Sequence, residues 1–115
     1  MKKILVAGGP SVLRGLLGFA LASEFQLEVV HTANAVLDTS LSSKPDIVLL
    51  EPRIVDEADG YQVLQAIKAK TELVHTRVVM VTSLTQRIDY SRAMQLGADG
   101  YLIKPVGRLQ MLAYF

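Results

Sequence analysis

Three short runs of apolar residues constrain the fold of this chain more than any other feature. The runs are KILVA (residues 3–7), DIVLL (46–50) and RVVMVT (77–82), and their apolar residues follow one another without polar alternation. Strands that are buried on both faces have this pattern, and such strands occur mainly in parallel sheets. We therefore predict that the three runs are central strands of a parallel sheet.

Two further segments are predicted to complete the sheet. QLEVVHT (26–32) alternates partly, which indicates a strand nearer an edge. GYLIKP (100–105) is a fifth short strand, and Pro105 closes it because proline cannot donate a hydrogen bond to a neighbouring strand. The sequence thus predicts five strands.

Helical patterns separate these strands. Asp59 is a good N-cap for one of them, and Gly97 is a typical residue after the end of another. Repeated strand–helix alternation predicts the α/β class, with a single doubly wound five-stranded parallel sheet and helices on both faces. The predicted helices are one that starts after Pro10 and Ser11, and those over 33–43, 59–70, 83–97 and 106–115.

Composition limits the class of protein. A chain of 115 residues fits one domain, predicted over residues 1–115 with a short fifth helix, and an output domain is conceivable downstream. Twelve basic and eleven acidic residues give a net charge of +1, so direct nucleic-acid binding is not expected. The absence of cysteine excludes disulfides and agrees with a cytoplasmic location. The apolar first helix contains Arg14 and is too short to span a bilayer.

Functional groups are expected at one edge of the sheet. In open parallel sheets, ligands bind outside the carboxyl ends of the strands. The residues at those predicted ends are Gly8 and Gly9, Thr32, Glu51, Thr82 and Ser83, and Lys104.

Two long segments carry a resemblance to a known family. PDIVLLEPRIVDEADGYQVLQAIK and RVVMVTSLTQRIDYSRAMQLGADGYLIKPV are similar to the central and carboxyl-terminal parts of the receiver domain of two-component response regulators. The second segment combines a threonine that ends a strand, a Gly-Ala helix end, and an aromatic residue three positions before Lys-Pro. The resemblance covers nearly the whole chain and implies the CheY-like, flavodoxin-like fold with strand order 2-1-3-4-5.

The resemblance also implies a phosphorylation site. In that family, two adjacent acids after the first strand and a phosphoacceptor aspartate after the third hold a magnesium ion. A lysine and a hydroxyl contact the phosphoryl group, and an aromatic residue follows the hydroxyl inward. Matching residues in this chain are Thr82 for the hydroxyl, Tyr101 for the aromatic switch, Lys104 for the lysine and Pro105 for the proline after it.

The acidic positions depart from the family pattern. Gly8 and Gly9 stand where the acid pair is expected, and Glu51 stands at the phosphoacceptor position. The loop carbonyl that would complete the metal site maps to Arg53, in a loop one residue longer than usual. Magnesium needs several oxygen ligands, so its binding is predicted to be lost or weak, with no catalytic residue and no cofactor. We interpret the chain as a degenerate receiver, a signalling module and not an enzyme.

Three other interpretations of these residues stay open. The Glu51 carboxylate could mimic a phosphorylated aspartate and hold Thr82 and Lys104. Glu51 could instead accept phosphate, with a metal held by water and by the loop acids Asp56, Glu57 and Asp59. The Gly8-Gly9 corner could bind phosphate or a small molecule, although it lacks a recognised phosphate-loop motif.

A protein partner is expected. Receivers commonly bind a histidine kinase or an output domain, or form homodimers, through the fourth helix, fifth strand and fifth helix. In this chain the corresponding surface mixes charges of both signs, which suits an interface and also any solvated helix. The residues concerned are Arg87, Asp89, Tyr90, Arg92, Asp99 and Arg108.

Overall fold

The structure is a computed structural model that describes residues 2–7, 25–52, 59–82 and 87–103. All five predicted strands are present, and they pair in parallel in the order β2-β1-β3-β4-β5. The predicted fold class, strand order and edge position of β2 are therefore confirmed. The strands are β1 Lys2–Ala7, β2 Phe25–Val30, β3 Ile47–Leu50, β4 Arg77–Thr82 and β5 Gly100–Ile103.

Three helices connect the described strands. They are α1 Ala33–Ser43, α2 Gly60–Lys68 and α3 Arg87–Gln95, and they correspond to the second, third and fourth predicted helices. A short 3-10 turn, Thr71–Leu73, precedes β4 and was not predicted. None of the described helices is long and apolar enough to cross a membrane. The first and fifth predicted helices lie outside the described residues.

Polar side chains begin two of these helices. The Asp59 carboxylate accepts a hydrogen bond from the Tyr61 backbone N–H at 2.9 Å, which confirms its predicted capping role. The prediction for Thr32 was wrong, because β2 ends at Val30 and Thr32 is not a strand end. Its hydroxyl accepts from the Ala35 N–H at 3.1 Å and satisfies a donor that the first helical turn leaves unpaired.

The central strands bury side chains on both faces, as their continuous apolar sequence predicted. On one face, strand residues such as Leu50 and Met80 pack with α1, α2 and α3 around Leu64 and Ile67. The opposite face carries a second buried cluster. Each fully buried aliphatic side chain contributes roughly 1.5–3 kcal/mol of transfer free energy, so both clusters stabilise the sheet. The second cluster comprises Ile4, Val6, Ile47, Leu49, Val79, Val81 and Leu102.

Candidate functional site at the carboxyl ends of the strands

Register places Glu51 at the carboxyl edge of the sheet, beside the end of β1. Ala7 pairs with Leu50, and the Glu51 N–H donates to the Ala7 carbonyl at 3.1 Å. The residues that follow Ala7 in the sequence are Gly8 and Gly9. In the sequence, two glycines therefore follow the β1 residue whose carbonyl accepts the hydrogen bond from Glu51.

The backbone after β3 packs tightly against the first residue of α2. The Gly60 N–H donates to the Pro52 carbonyl at 2.7 Å. A Cβ added at Gly60 would lie 2.9 Å from the Pro52 Cα and would overlap the Glu51 carbonyl oxygen. Only glycine allows this close approach. The contact fixes the position of half-buried Glu51 and joins the described segments that end at Pro52 and begin at Asp59.

Thr82 and Tyr101 bring two hydroxyl groups together at the ends of neighbouring strands. Thr82 is only 4% exposed, and it ends β4 next to β5, which carries Tyr101. The half-buried Tyr101 ring packs against the core beneath the helices, and the Thr82 side chain is near enough to affect the pKa of Tyr101. Burial raises the pKa of Tyr101, and the Thr82 hydrogen bond opposes that shift. Thr82 and Tyr101 therefore lie close together at this edge of the sheet.

An exposed tyrosine on α3 completes the surroundings of Tyr101. The Tyr90 ring meets the Tyr101 ring edge-to-face, with centroids 5.6 Å apart and an interplanar angle of 79°. Such pairs add roughly 0.5–1.5 kcal/mol beyond their buried area. Tyr90 is 50% exposed, so the contact links the Tyr101 ring to the solvent-facing surface of α3.

A second contact joins the start of α2 to α3 and was not foreseen from the sequence. We call Asp59, Tyr61 and Arg92 the α2–α3 clasp. The Arg92 guanidinium lies 4.3 Å from the centre of the Tyr61 ring, and its Nη2 lies 3.4 Å from the Asp59 carboxylate. Stacking on an aromatic ring and pairing with an acid are both favourable for a planar guanidinium. An aromatic residue two positions after the Asp59 cap was the only sequence signal for this clasp.

Tyr61 is buried in the apolar cluster against which Tyr101 packs. The residue is 5% exposed. Burial raises its pKa above the usual 10.0, the Asp89 and Asp59 carboxylates raise it further, and the Arg92 guanidinium opposes the shift. Although the two tyrosine hydroxyls are close enough to influence each other, no described residue forms a hydrogen bond of normal geometry with the Tyr61 hydroxyl.

Several predicted site residues lie outside the described part of the chain. The structure positions Glu51, Thr82 and Tyr101, whereas the remaining predictions concern Gly8, Gly9, Arg53, Lys104 and Pro105, which it does not describe. Within the described ranges, no group of three or more histidine or acidic side chains is arranged to hold a metal ion. Asp59, one of the candidate loop ligands, caps α2 and pairs with Arg92.

Comparison with known proteins agrees with this architecture. The model of the response regulator receiver domain family matches residues 4–115 of the chain. The chemotaxis response regulator CheY4 of Vibrio cholerae is 18% identical with a TM-score of 0.85, and the match covers 98% of this chain and 94% of that one. The BeF3-activated receiver domain of Klebsiella pneumoniae RstA is 20% identical with a TM-score of 0.83, covering 98% and 93%.

A third similar structure contains a metal ion. The receiver domain of the sensor histidine kinase PA1611 from Pseudomonas aeruginosa has magnesium coordinated in its active site cleft. It is 20% identical with a TM-score of 0.79, and the match covers 97% of this chain and 92% of that one. At these identities the solved structures show a shared fold, while the family model extends over nearly the whole sequence. The chain therefore belongs to the response regulator receiver domain family of two-component signalling systems.

Proposed function

We propose that this receiver signals through protein–protein contacts and does not run the magnesium-dependent phosphorylation of an aspartate. The observation that carries the proposal is the register of β1 and β3. It sets Glu51 beside the end of β1, where the sequence continues with Gly8 and Gly9 and supplies no carboxylate. The carboxyl edge of the sheet thus has one acid directly after a strand, where the family has three.

The residues present do not fit a magnesium site of the family type. Magnesium prefers six oxygen ligands in near-octahedral geometry and is usually held by carboxylates together with phosphate and water. Glu51 is the one acid that directly follows a strand, and its extra methylene places the carboxylate differently from that of an aspartate. An ångström-scale misplacement can cost about 10²-fold in rate. Phosphotransfer to this position should therefore be absent or very slow.

The proposal is tested by phosphorylation and by thermal unfolding. The wild-type protein is incubated with acetyl phosphate and magnesium, and phosphate incorporation is followed by intact-mass spectrometry. In parallel, the melting temperature is measured with magnesium and beryllofluoride at several concentrations, with and without chelator. We expect no mass increase and no saturable shift of the melting temperature, because a ligand stabilises the protein only when it binds the folded state.

A restored variant provides the matched control. The triple variant Gly8→Asp, Gly9→Asp, Glu51→Asp returns the family's three acids, and it should regain magnesium-dependent stabilisation by beryllofluoride. Phosphate on wild-type Glu51 would overturn the proposal in favour of an active receiver with an unusual metal site. A rise in melting temperature with phosphate or nucleotide that persists when the metal is chelated would overturn the proposal in favour of ligand binding at Gly8-Gly9.

A second part of the proposal concerns the Glu51 carboxylate itself. Tyr101 packs against the core, and its hydroxyl contacts Thr82, an arrangement that supports a domain resting near the signalling conformation. A fixed carboxylate at Glu51 would favour this state by attracting hydrogen-bond donors at the strand ends. Glu51→Gln, which keeps the shape and removes the charge, should then weaken partner binding. Unchanged binding in Glu51→Gln would show that Glu51 is not a mimic.

Partner binding is proposed at the surface formed by α3 and β5. Receiver domains interact with histidine kinases and output domains, and here three apolar side chains on these two elements are exposed. Tyr90 is 50%, Met94 38% and Ile103 40% exposed. Apolar side chains surrounded by charged ones are typical of transient interfaces. We propose this surface for a kinase-like partner, an output domain or a second copy, in the cytoplasm. Sedimentation velocity of the wild type and of the Tyr90→Ala variant tests whether the partner is a second copy of this chain.

A further inference from the structure

Positive charge is concentrated at the amino ends of the strands, the edge of the sheet opposite Glu51. Among the side chains that the structure describes, five of the six lysines and arginines lie at this edge, together with three of the eight acids. The described side chains elsewhere therefore have a surplus of negative charge. The five basic residues lie at the carboxyl ends of α1 and α2 or at the amino ends of β1 and β4, and they are Lys3, Lys44, Lys68, Lys70 and Arg77.

Two of the three acids at this edge are engaged within the protein. The Asp46 and Asp99 carboxylates accept hydrogen bonds from backbone N–H groups of β1 and β4, and Asp99 also pairs with the Lys68 ammonium. Among the described residues, neither Lys44 nor Lys70 forms an ion pair, and both side chains are exposed. Their ammonium groups are therefore accessible to an anionic partner.

An exposed aliphatic side chain follows Lys70 in the chain. Val74 is 72% exposed, the highest value among the large apolar residues that the structure describes. The turn that carries it is well anchored, because Leu73 is only 2% exposed. The Val74 N–H donates to the Thr71 carbonyl at 3.3 Å, and the Thr76 N–H donates to the Leu73 carbonyl at 3.0 Å. An ordered turn therefore presents Val74 to solvent.

A buried hydrogen bond places Lys44 on the same surface as this turn. The hydroxyl of Thr76, a residue that is 4% exposed, donates to the Pro45 carbonyl at 2.8 Å. Pro45 directly follows Lys44, and α1 also packs against the 3-10 turn. We call Lys44, Lys70 and Val74 the amino-edge patch. It combines two accessible cations with one accessible aliphatic side chain.

We propose that the amino-edge patch binds an acidic segment of a partner protein, with carboxylates beside Lys44 and Lys70 and one aliphatic side chain on Val74. Complementary charge selects such a segment, and contact with Val74 removes apolar surface from water. The exposed Glu72 carboxylate in the 3-10 turn opposes an anion, so the acids of the partner must be spaced around it. This inference goes beyond the proposed function, because the patch shares no residue with Glu51 or with the surface formed by α3 and β5.

A protein segment fits this patch better than an anionic membrane or a nucleic acid does. Basic segments that bind membranes usually contain about four to eight cations, and nucleic-acid binding depends on many phosphate contacts. At this edge the five cations are interrupted by three acids, which would repel a continuous anionic surface. A peptide can place single carboxylates at separated lysines and leave the position of Glu72 free of charge.

Nuclear magnetic resonance of the wild-type protein tests the proposal. The ¹⁵N-labelled protein is titrated at low salt with a set of short peptides that combine glutamates with one leucine in different orders. We expect saturable changes in amide chemical shift at Lys44, at Lys70 and over residues 71–76 with at least one peptide. Peptides with glutamine in place of glutamate should give none. Salt at about 1 M should abolish binding, because it reduces the screening length to about 3 Å.

Variants assign the binding to the patch. The double variant Lys44→Gln, Lys70→Gln should weaken binding about fivefold, the magnitude expected for the loss of two exposed charge pairs. Val74→Thr keeps the shape of the side chain and should also weaken binding. Glu72→Gln should strengthen it by removing a repulsion. Asp89→Asn is the matched control, because it removes the same charge from the first turn of α3 and should leave binding unchanged.

Several results would overturn the proposal. One is that no peptide shifts the amide signals of the patch at millimolar concentration. Another is that glutamine peptides bind equally well, or that Glu72→Gln and Asp89→Asn strengthen binding equally, which would indicate a general effect of net charge. Tighter binding to phosphatidylserine vesicles or to duplex DNA than to every peptide would assign the patch to a membrane or to a nucleic acid instead.

Discussion

At the scale of single residues, backbone conformation and close approach decide which side chains are tolerated. Gly60 lies against the carbonyl of Glu51, and Lys44 adopts a left-handed backbone conformation with φ of 48°. Position 60 requires glycine because a neighbouring chain segment lies against it. Position 44 holds a lysine where the backbone conformation favours glycine. The two positions therefore predict stability changes of opposite sign.

Gly60→Ala should destabilise the fold by about 1–3 kcal/mol, because the added methyl group has no room beside the Glu51–Pro52 backbone. The sign is informative, since alanine is ordinarily favoured over glycine in a helix by about 1 kcal/mol. Urea unfolding monitored by circular dichroism measures the change. Gln65→Ala on the exposed face of the same helix is the control, and it should alter stability by less than about 0.5 kcal/mol. A stabilised Gly60→Ala protein would contradict the packing described.

Lys44→Gly should stabilise the protein by roughly 0.5–1 kcal/mol, because it relieves the left-handed conformation that follows α1. The Lys44 side chain is exposed, so little packing is lost. Lys70→Gly is a matched control, as Lys70 is also exposed but has an ordinary φ of −89°. Glycine there adds freedom to the unfolded chain and should destabilise the protein. Equal effects of the two substitutions would argue against a conformational cause.

At the scale of secondary-structure elements, carboxylates connect the amino ends of neighbouring strands. The Asp46 carboxylate accepts a hydrogen bond from the Lys3 N–H at 2.8 Å. The Asp99 carboxylate accepts from the Val78 N–H at 2.8 Å and from the Lys68 Nζ at 2.5 Å. Asp99 thus joins β4, α2 and the start of β5 at the edge opposite the candidate site. These bonds fix the strand register on which the position of Glu51 depends.

Replacing Asp99 should weaken the fold in a graded manner. Asp99→Ala leaves the Val78 N–H without its acceptor and should cost about 1–3 kcal/mol. Asp99→Asn keeps an acceptor oxygen but loses the charge that pairs with Lys68, so its cost should be smaller. Asp38→Ala, at an exposed position of α1, is the control and should change stability by less than about 0.5 kcal/mol. Chemical denaturation at neutral pH measures all three, and an Asp99→Ala effect no larger than the control would contradict the role assigned to Asp99.

At the scale of the whole molecule, the buried Tyr61 phenol and the half-buried Tyr101 phenol couple folding to alkaline pH. Burial raises the pKa of both Tyr61 and Tyr101, so the folded state keeps their protons more tightly than the unfolded chain does. Their stabilising contribution is complete below the unfolded value of 10.0 and is lost as pH rises through the folded pKa values. Stability should therefore fall with rising pH above about 10.

A variant with Tyr61→Phe and Tyr101→Phe should show a shallower alkaline decline than the wild type, because it has lost these two groups. Lysine titration is common to both proteins, so the difference in slope isolates the tyrosines. The free energy of unfolding, measured across the alkaline range, checks the expectation. Identical slopes would show that the two phenols ionise equally in the folded and unfolded states.

The sequence by itself determined the class of the fold and which residue types stand at the strand ends. The continuous apolar runs required strands buried on both faces, and this requirement led to the parallel sheet that the structure shows. Glu51 could be placed after β3 because its position follows from local spacing and from the family resemblance, and the structure locates it there. Thr32 was misplaced because β2 ends two residues earlier and a capping hydrogen bond claims its hydroxyl.

Only the tertiary structure decided how distant residues combine around Tyr101. Tyr61 and Arg92 are far apart in the sequence, and they meet because α2 and α3 pack on the same face of the sheet. No local pattern encodes such a contact, since it depends on the relative positions of two helices. The requirement for glycine at residue 60 likewise comes from a backbone segment that approaches it in space. The sequence therefore specified the strands, and packing between elements determined the surroundings of Tyr101.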